Sequence, residues 1–477
     1  MLQMDPFKAS MFLIPGLAIC LYWGGAIAPV EIHPKNTPGY WGRAAKPQPD
    51  NPKVEKFQVK IADKALEDLK SRIDSSRYFE GFDKIEFQYG FDVDYMRKLA
   101  KYWRGGFLTK WPEHEAKLNE YDHYRTQIEG ILVHFIHQKA VLKEGQTAVP
   151  ILLLHGFPGS VYDFYKFIPA FTDPLNHGGH ENWEVFDVVA PSIPGFAWSE
   201  PPHKPGFSPH DAARVFHELM ERLGYESFYI HGGDVSGVGQ IMSQMNHTAV
   251  RGLHTHVFPM FPSSTERQFL QGLAHAIPAL FLTHDDHKKV IPFHGWMEEF
   301  IEETGFLHEA MTKPDTIAIG LTDSPVGLAA YILEKYSTWT DNAYIHTDAG
   351  GLAKSFTLDI LLNQVMIYYT TNSIHSSLRF YKEWWSSHEV AQWERLPVSV
   401  PTGLVCLANA PRQTTAPQRF ASQKYTNILQ YTDMPSVGHF ASLENPDFLA
   451  DNIRKFVRNC EVRRGKQKKA MAKKANQ

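Results

Sequence analysis

The run Phe228-Tyr229-Ile230, followed by Gly232-Gly233-Asp234-Val235-Ser236-Gly237, constrains this chain more than any other feature. The first part is strand-like. The small residues on both sides of Asp234 permit a tight strand-to-helix bend with one side chain at its apex. Two further runs fit the same architecture. Ile151-Leu152-Leu153-Leu154 is continuously apolar, as strands covered on both faces of a parallel sheet are. Val185-Phe186-Asp187-Val188-Val189-Ala190 is similar, and the helix-like stretch 211–223 separates it from the bend. This alternation predicts an α/β fold with a mostly parallel sheet. Leu404-Val405-Cys406-Leu407 resumes the sheet late in the chain, and Ile428-Leu429-Gln430-Tyr431 is a shorter, weakly patterned strand candidate.

With 477 residues, 43% of them hydrophobic, the chain can bury one large core carrying a substantial insertion. We divide it into an N-terminal anchor and flank (1–37), an arm or cap (38–145), the first part of the core (146–262), a helical lid (263–395), the second part of the core (396–460) and a basic tail (461–477). Within the arm, 63–72 and 92–106 read as helices and 128–140 as a strand pair. Within the lid, 325–339 and 358–371 read as helices, and Tyr368, Tyr369, Phe380, Tyr381, Trp384 and Trp385 offer an apolar roof. A net charge of −4 and the lack of a basic-aromatic pattern argue against nucleic acid as a partner. Cys20, Cys406 and Cys460 have neither disulfide nor metal-ligand spacing. We expect no metal, no cofactor and no required protein partner.

Residues 9–30 carry no formal charge, a length that can span a hydrocarbon core of about 30 Å. Lys35, Arg43, Lys46, Lys53 and Lys56 follow the segment and only Lys8 precedes it, which predicts a single-pass anchor with the core facing the cytoplasm. Its length and the want of a small-residue cleavage site favour a retained anchor over a cleaved signal. The tail, with Arg463, Arg464, Lys466, Lys468, Lys469, Lys473 and Lys474, reads as disordered, either touching anionic membrane lipid or simply solubilising.

A carboxylate at the apex attacks carbon to form an ester, which suits an epoxide or alkyl halide better than an amide. His439, in Gly438-His439-Phe440, stands in the right chain order to activate water against that ester. His155-Gly156-Phe157-Pro158 follows the first core strand, where a turn can aim backbone N–H groups at an oxyanion. One part is missing. The stretch 404–413, where a third, acidic member is expected, contains neither Asp nor Glu.

Tyr89-Gly90-Phe91, Tyr102-Trp103-Arg104, His155 to Ser160, Gly232-Gly233-Asp234, Thr312-Lys313-Pro314-Asp315, Asp323-Ser324-Pro325-Val326-Gly327-Leu328, Pro401-Thr402-Gly403 and Gly438-His439-Phe440 occur in one collinear series. Together they make a chain that resembles the microsomal epoxide hydrolases, and within them the insect juvenile hormone epoxide hydrolases. The resemblance implies an α/β-hydrolase fold with a helical lid and an N-terminal extension, an endoplasmic-reticulum anchor, and hydrolysis of epoxides to diols. It assigns Asp234 as nucleophile, His439 as base and Tyr381 as one of two lid tyrosines that bond the epoxide oxygen. The second tyrosine position holds Phe306, which cannot donate that bond. The relay-acid position falls on Ala410 or its neighbour Asn409, and Glu266 is the one substitute the sequence offers. Val235 stands where the family carries an aromatic pocket residue, and Phe157 where Trp is common. The expected function is hydrolysis of a lipophilic epoxide, such as juvenile hormone or a related terpenoid, impaired at two steps. The alternative is an inactive, membrane-tethered binder of small hydrophobic ligands.

Overall fold

The computed structural model describes residues 38–475, apart from 181–182, 235, 259–298, 300 and 412–413. The proposed anchor, Val235 and Glu266 therefore lie outside the described residues. Among the described residues nine strands form one sheet: β1 (Glu55–Phe57), β2 (His123–Ile128), β3 (Ile131–Gln138), β4 (Val149–Leu154), β5 (Phe186–Pro191), β6 (Phe228–Gly232), β7 (Val250–Thr255), β8 (Thr402–Leu407) and β9 (Ile428–Met434). Their spatial order is β1-β2-β3-β5-β4-β6-β7-β8-β9. Pairs from β5 to β9 are parallel, and those joining β1, β2, β3 and β5 are antiparallel. Every residue of β5, β6 and β8 is buried, which accounts for their largely apolar character. The weak candidate at 428 is β9 at the sheet edge, where partial exposure removes the need for a continuous apolar run.

Two boundaries differ from expectation. The strand pair predicted at 128–140 is a hairpin, β2 and β3, that begins earlier. Its two-residue turn is Glu129-Gly130, both at positive φ (49° and 85°), so Ile128 pairs with Ile131. Because β3 pairs with β5, the end of the arm joins the core sheet. In the arm, Asp92 caps the helix Val93–Tyr102 by accepting from the Tyr95 N–H at 2.6 Å. That helix ends at Tyr102, and the following Trp103–Phe107 is a π-turn containing Gly105 and Gly106, which are poor α-helix formers.

Glu129 also anchors the arm. Its Oε2 accepts from Trp41 Nε1 at 2.9 Å and from Arg214 Nη2 at 2.8 Å, and Arg214 also meets Asp211 Oδ1 at 2.8 Å. All three charged groups are buried. Glu129→Ala leaves the Arg214 guanidinium short of a partner, and we expect a loss of about 3–5 kcal/mol in stability, read by chemical denaturation.

Between β7 and β8 the described residues include the helices Gly305–Thr312, Pro314–Asp323, Pro325–Thr338, Leu358–Thr371, Ile374–Ser386 and His388–Arg395. Both predicted lid helices are present. Ser324 caps the first by accepting from Gly327 N–H at 3.0 Å, and Asn372, at φ 52°, ends the second in the left-handed region. Among the described residues no single helix is long and apolar enough to cross a membrane. The basic tail is corrected: it continues the helix Pro446–Ala475 rather than forming a separate disordered segment. Lys, Arg, Gln, Met and Ala are all strong helix formers, so the helix runs on after its buried face has ended.

Candidate active site

Asp234 lies where β6 turns into the helix Ser236–Met245. Crowding explains the glycines around it. A Cβ on Gly156 would fall 2.3 Å from Asp234 Cβ, one on Gly233 2.5 Å from His256 Nε2, and one on Gly237 2.9 Å from the Trp384 ring. The carboxylate is held by two donors on one oxygen. Phe157 N–H donates to Asp234 Oδ2 at 2.9 Å, and the Tyr381 hydroxyl donates to the same atom at 2.8 Å.

Of the loop residues 155–158, Phe157 brings its N–H to Asp234. His155 has a different task. Its Nδ1 meets Gly156 O at 3.0 Å and its Nε2 accepts from Ile193 N–H at 3.1 Å, so the ring ties the loop after β4 to the loop after β5. Burial holds it neutral, with its pKa down at about 4. Pro158 follows Phe157 through a cis peptide.

His439 lines the same cavity as Asp234. Its ring packs edge-on against Trp339 at 4.8 Å, and its N–H donates to Trp339 O at 2.8 Å. Burial lowers its pKa, opposed by the negative charge of Asp234, so it rests as the neutral imidazole a general base needs. Nδ1 of His439 is buried and meets no hydrogen-bond partner among the described residues. Ala410 is buried and carries no polar group. Asn409 turns elsewhere: its N–H donates to Val437 O at 3.1 Å, and its Nδ2 reaches Asp341 Oδ2 at 3.3 Å.

Tyr381 comes from the helix Ile374–Ser386 and is buried, with a hydroxyl pKa well above its ordinary value because of burial and the neighbouring Asp234. It is therefore a standing donor. Phe306, at the start of the helix Gly305–Thr312, faces it edge-on at 6.2 Å, stacks on Phe157 at 6.0 Å and leans on Trp339 at 5.1 Å. The cavity they enclose has a volume of about 390 Å³ and is walled by residues including Leu307, Met311, Trp384 and Val390. That volume accommodates a small lipophilic molecule. One lining residue was not anticipated. Glu303 is a buried carboxyl that accepts from the Thr338 hydroxyl at 3.0 Å, and burial, then the nearby Glu334, raises its pKa. Nothing in its sequence surroundings marks it, since its partner lies on another lid helix.

Comparison with known proteins agrees with this geometry. The model of the epoxide hydrolase N terminus matches residues 54–164, and that of the alpha/beta hydrolase fold matches 149–277. Epoxide hydrolase 1 of Sus scrofa is 40% identical over 424 residues, covering 88% of this chain and 92% of that protein. Juvenile hormone epoxide hydrolase 1 of Ctenocephalides felis is 36% identical, covering 92% of each. The crystal structure of juvenile hormone epoxide hydrolase from the silkworm Bombyx mori superposes with a TM-score of 0.84 at 31% identity, covering 90% of this chain and 99% of that one. An apical aspartate bonded by a loop N–H and a lid tyrosine, on this fold and with these relatives, places the chain among the enzymes of the epoxide hydrolase family.

Proposed function

We propose that this chain opens lipophilic epoxides to diols through an ester on Asp234, slowly, and that terpenoid epoxides such as juvenile hormone are among its substrates. The observation that carries the reading is the pair of donors on Asp234 Oδ2 within an apolar cavity that His439 also lines. Oδ1 attacks a ring carbon, the ring C–O bond breaks, and the departing oxygen takes the Tyr381 proton. His439 then removes a proton from water as it adds to the ester carbonyl, and the Phe157 N–H supports the oxyanion. Collapse releases the diol and regenerates the carboxylate, and the proton on His439 returns to the Tyr381 phenolate. The charge-free segment 9–30 would hold the enzyme at a membrane from which such substrates partition.

Two substitutions set the expected rates. Phe306→Tyr adds a second donor to the departing oxygen and should speed ester formation by about a hundredfold. Ala410→Glu offers an anion to His439 Nδ1 and should speed ester hydrolysis while leaving formation unchanged. Single-turnover kinetics separates the steps, and a swap of the two effects would contradict the assignment. The binding alternative draws on the same two positions. Under it, lipophilic epoxides are recovered intact from the complex and Asp234→Asn leaves affinity unchanged, whereas diol formation abolished by that substitution excludes it.

A further inference from the structure

The base is gripped through its backbone. Gly438 N–H donates to Glu444 Oε2 at 2.7 Å and Phe440 N–H donates to Glu444 Oε1 at 2.9 Å, so one carboxylate spans the residues on either side of His439. With the His439 N–H on Trp339 O, three successive N–H groups are occupied. Gly438 sits against the lid, where a Cβ would fall 2.3 Å from Thr340 O. The ring is wedged between Trp339 at 4.8 Å and Phe440 at 5.1 Å. Glu444 ends the short helix Ala441–Glu444, whose first turn closes back on Phe440 O.

An imidazole base is ordinarily oriented by an acid bonded to its far nitrogen. His439 Nδ1 has no such bond among the described residues. We infer that Glu444 is the positioning residue of the base, fixing the His439 backbone from behind and so aiming its ring at the ester on Asp234. It does the orienting part of a relay acid's work without placing charge on the imidazole. This rests on the reading of Asp234 and His439 given above. The clasp favours the ionised carboxyl, whereas burial and the nearby Asp341 push its pKa up to about 7. On the other side of this turn, Lys166 Nζ donates to Leu443 O at 3.0 Å.

The test separates the two chemical steps. In Glu444→Ala, ester hydrolysis should fall by about a hundredfold, the scale of a small misplacement of a catalytic group. Ester formation, which uses Asp234, Tyr381 and Phe157, should stay within about twofold. Glu444→Gln, keeping one acceptor oxygen, should recover part of the loss. A second readout needs no turnover: ethoxycarbonylation of His439 by diethylpyrocarbonate, mapped by peptide mass, should speed up in Glu444→Ala. Equal losses in both steps, or hydrolysis and ethoxycarbonylation both unchanged, overturn the assignment. If the wild-type chain forms no ester, the proposed function fails and the ethoxycarbonylation rates alone decide the role of Glu444.

Discussion

Asp234→Ala should abolish the covalent ester and lower diol formation by at least about 10⁴-fold, the scale on which loss of a nucleophile acts in enzymes with covalent intermediates. The variant keeps the Cβ that packs against Gly156, so the bend itself should survive. Tyr381 and the Phe157 N–H lose their shared acceptor, but the cavity remains, and affinity for a lipophilic epoxide should change little. Burst kinetics together with equilibrium binding reads both halves of this expectation. Diol formation retained at more than a few per cent would mean that water attacks the ring directly.

The second large effect belongs to the base. His439→Gln should leave ester formation intact and slow ester hydrolysis by about 10³-fold, so that the ester accumulates. The wild-type pH profile carries a matching signature. His439 acts only when neutral, and burial lowers its pKa below the ordinary 6.5. In the ester, Asp234 is uncharged and no longer opposes that lowering. The limb set by His439 should therefore lie below the usual histidine range, with the rate falling as pH drops through it and no loss on the alkaline side. Protonation of Glu444, near pH 7, adds a limb of its own that Glu444→Gln removes. A limb above pH 6.5 that survives in Glu444→Gln would point to an anion beside His439.

The parts of this fold that were legible are those governed by local patterning. Continuous burial makes β4, β5 and β8 read as apolar runs, and crowding around Asp234 demands glycines a reader can see. What escaped was set by contacts distant in the chain. The β2 strand looks polar, because it earns its place through pairing with β3 and through Glu129, whose partner Arg214 is 85 residues away. His439 leans on Trp339 a hundred positions earlier, and Glu303 depends on Thr338. The tail's charge density points to disorder, yet its residues are mostly good helix formers and continue the helix Pro446–Ala475. Glu444 lies close to His439 in sequence, but only the turn between them brings the carboxylate to two N–H groups at once.

The most direct test is the mass of the peptide containing Asp234, measured at short times after mixing excess enzyme with a lipophilic epoxide. The account predicts an increase equal to the mass of the intact epoxide, localised to Asp234, that decays as the diol appears and persists in His439→Gln. Diol appearing with no adduct on Asp234 at any time, or an adduct on another residue, would contradict it.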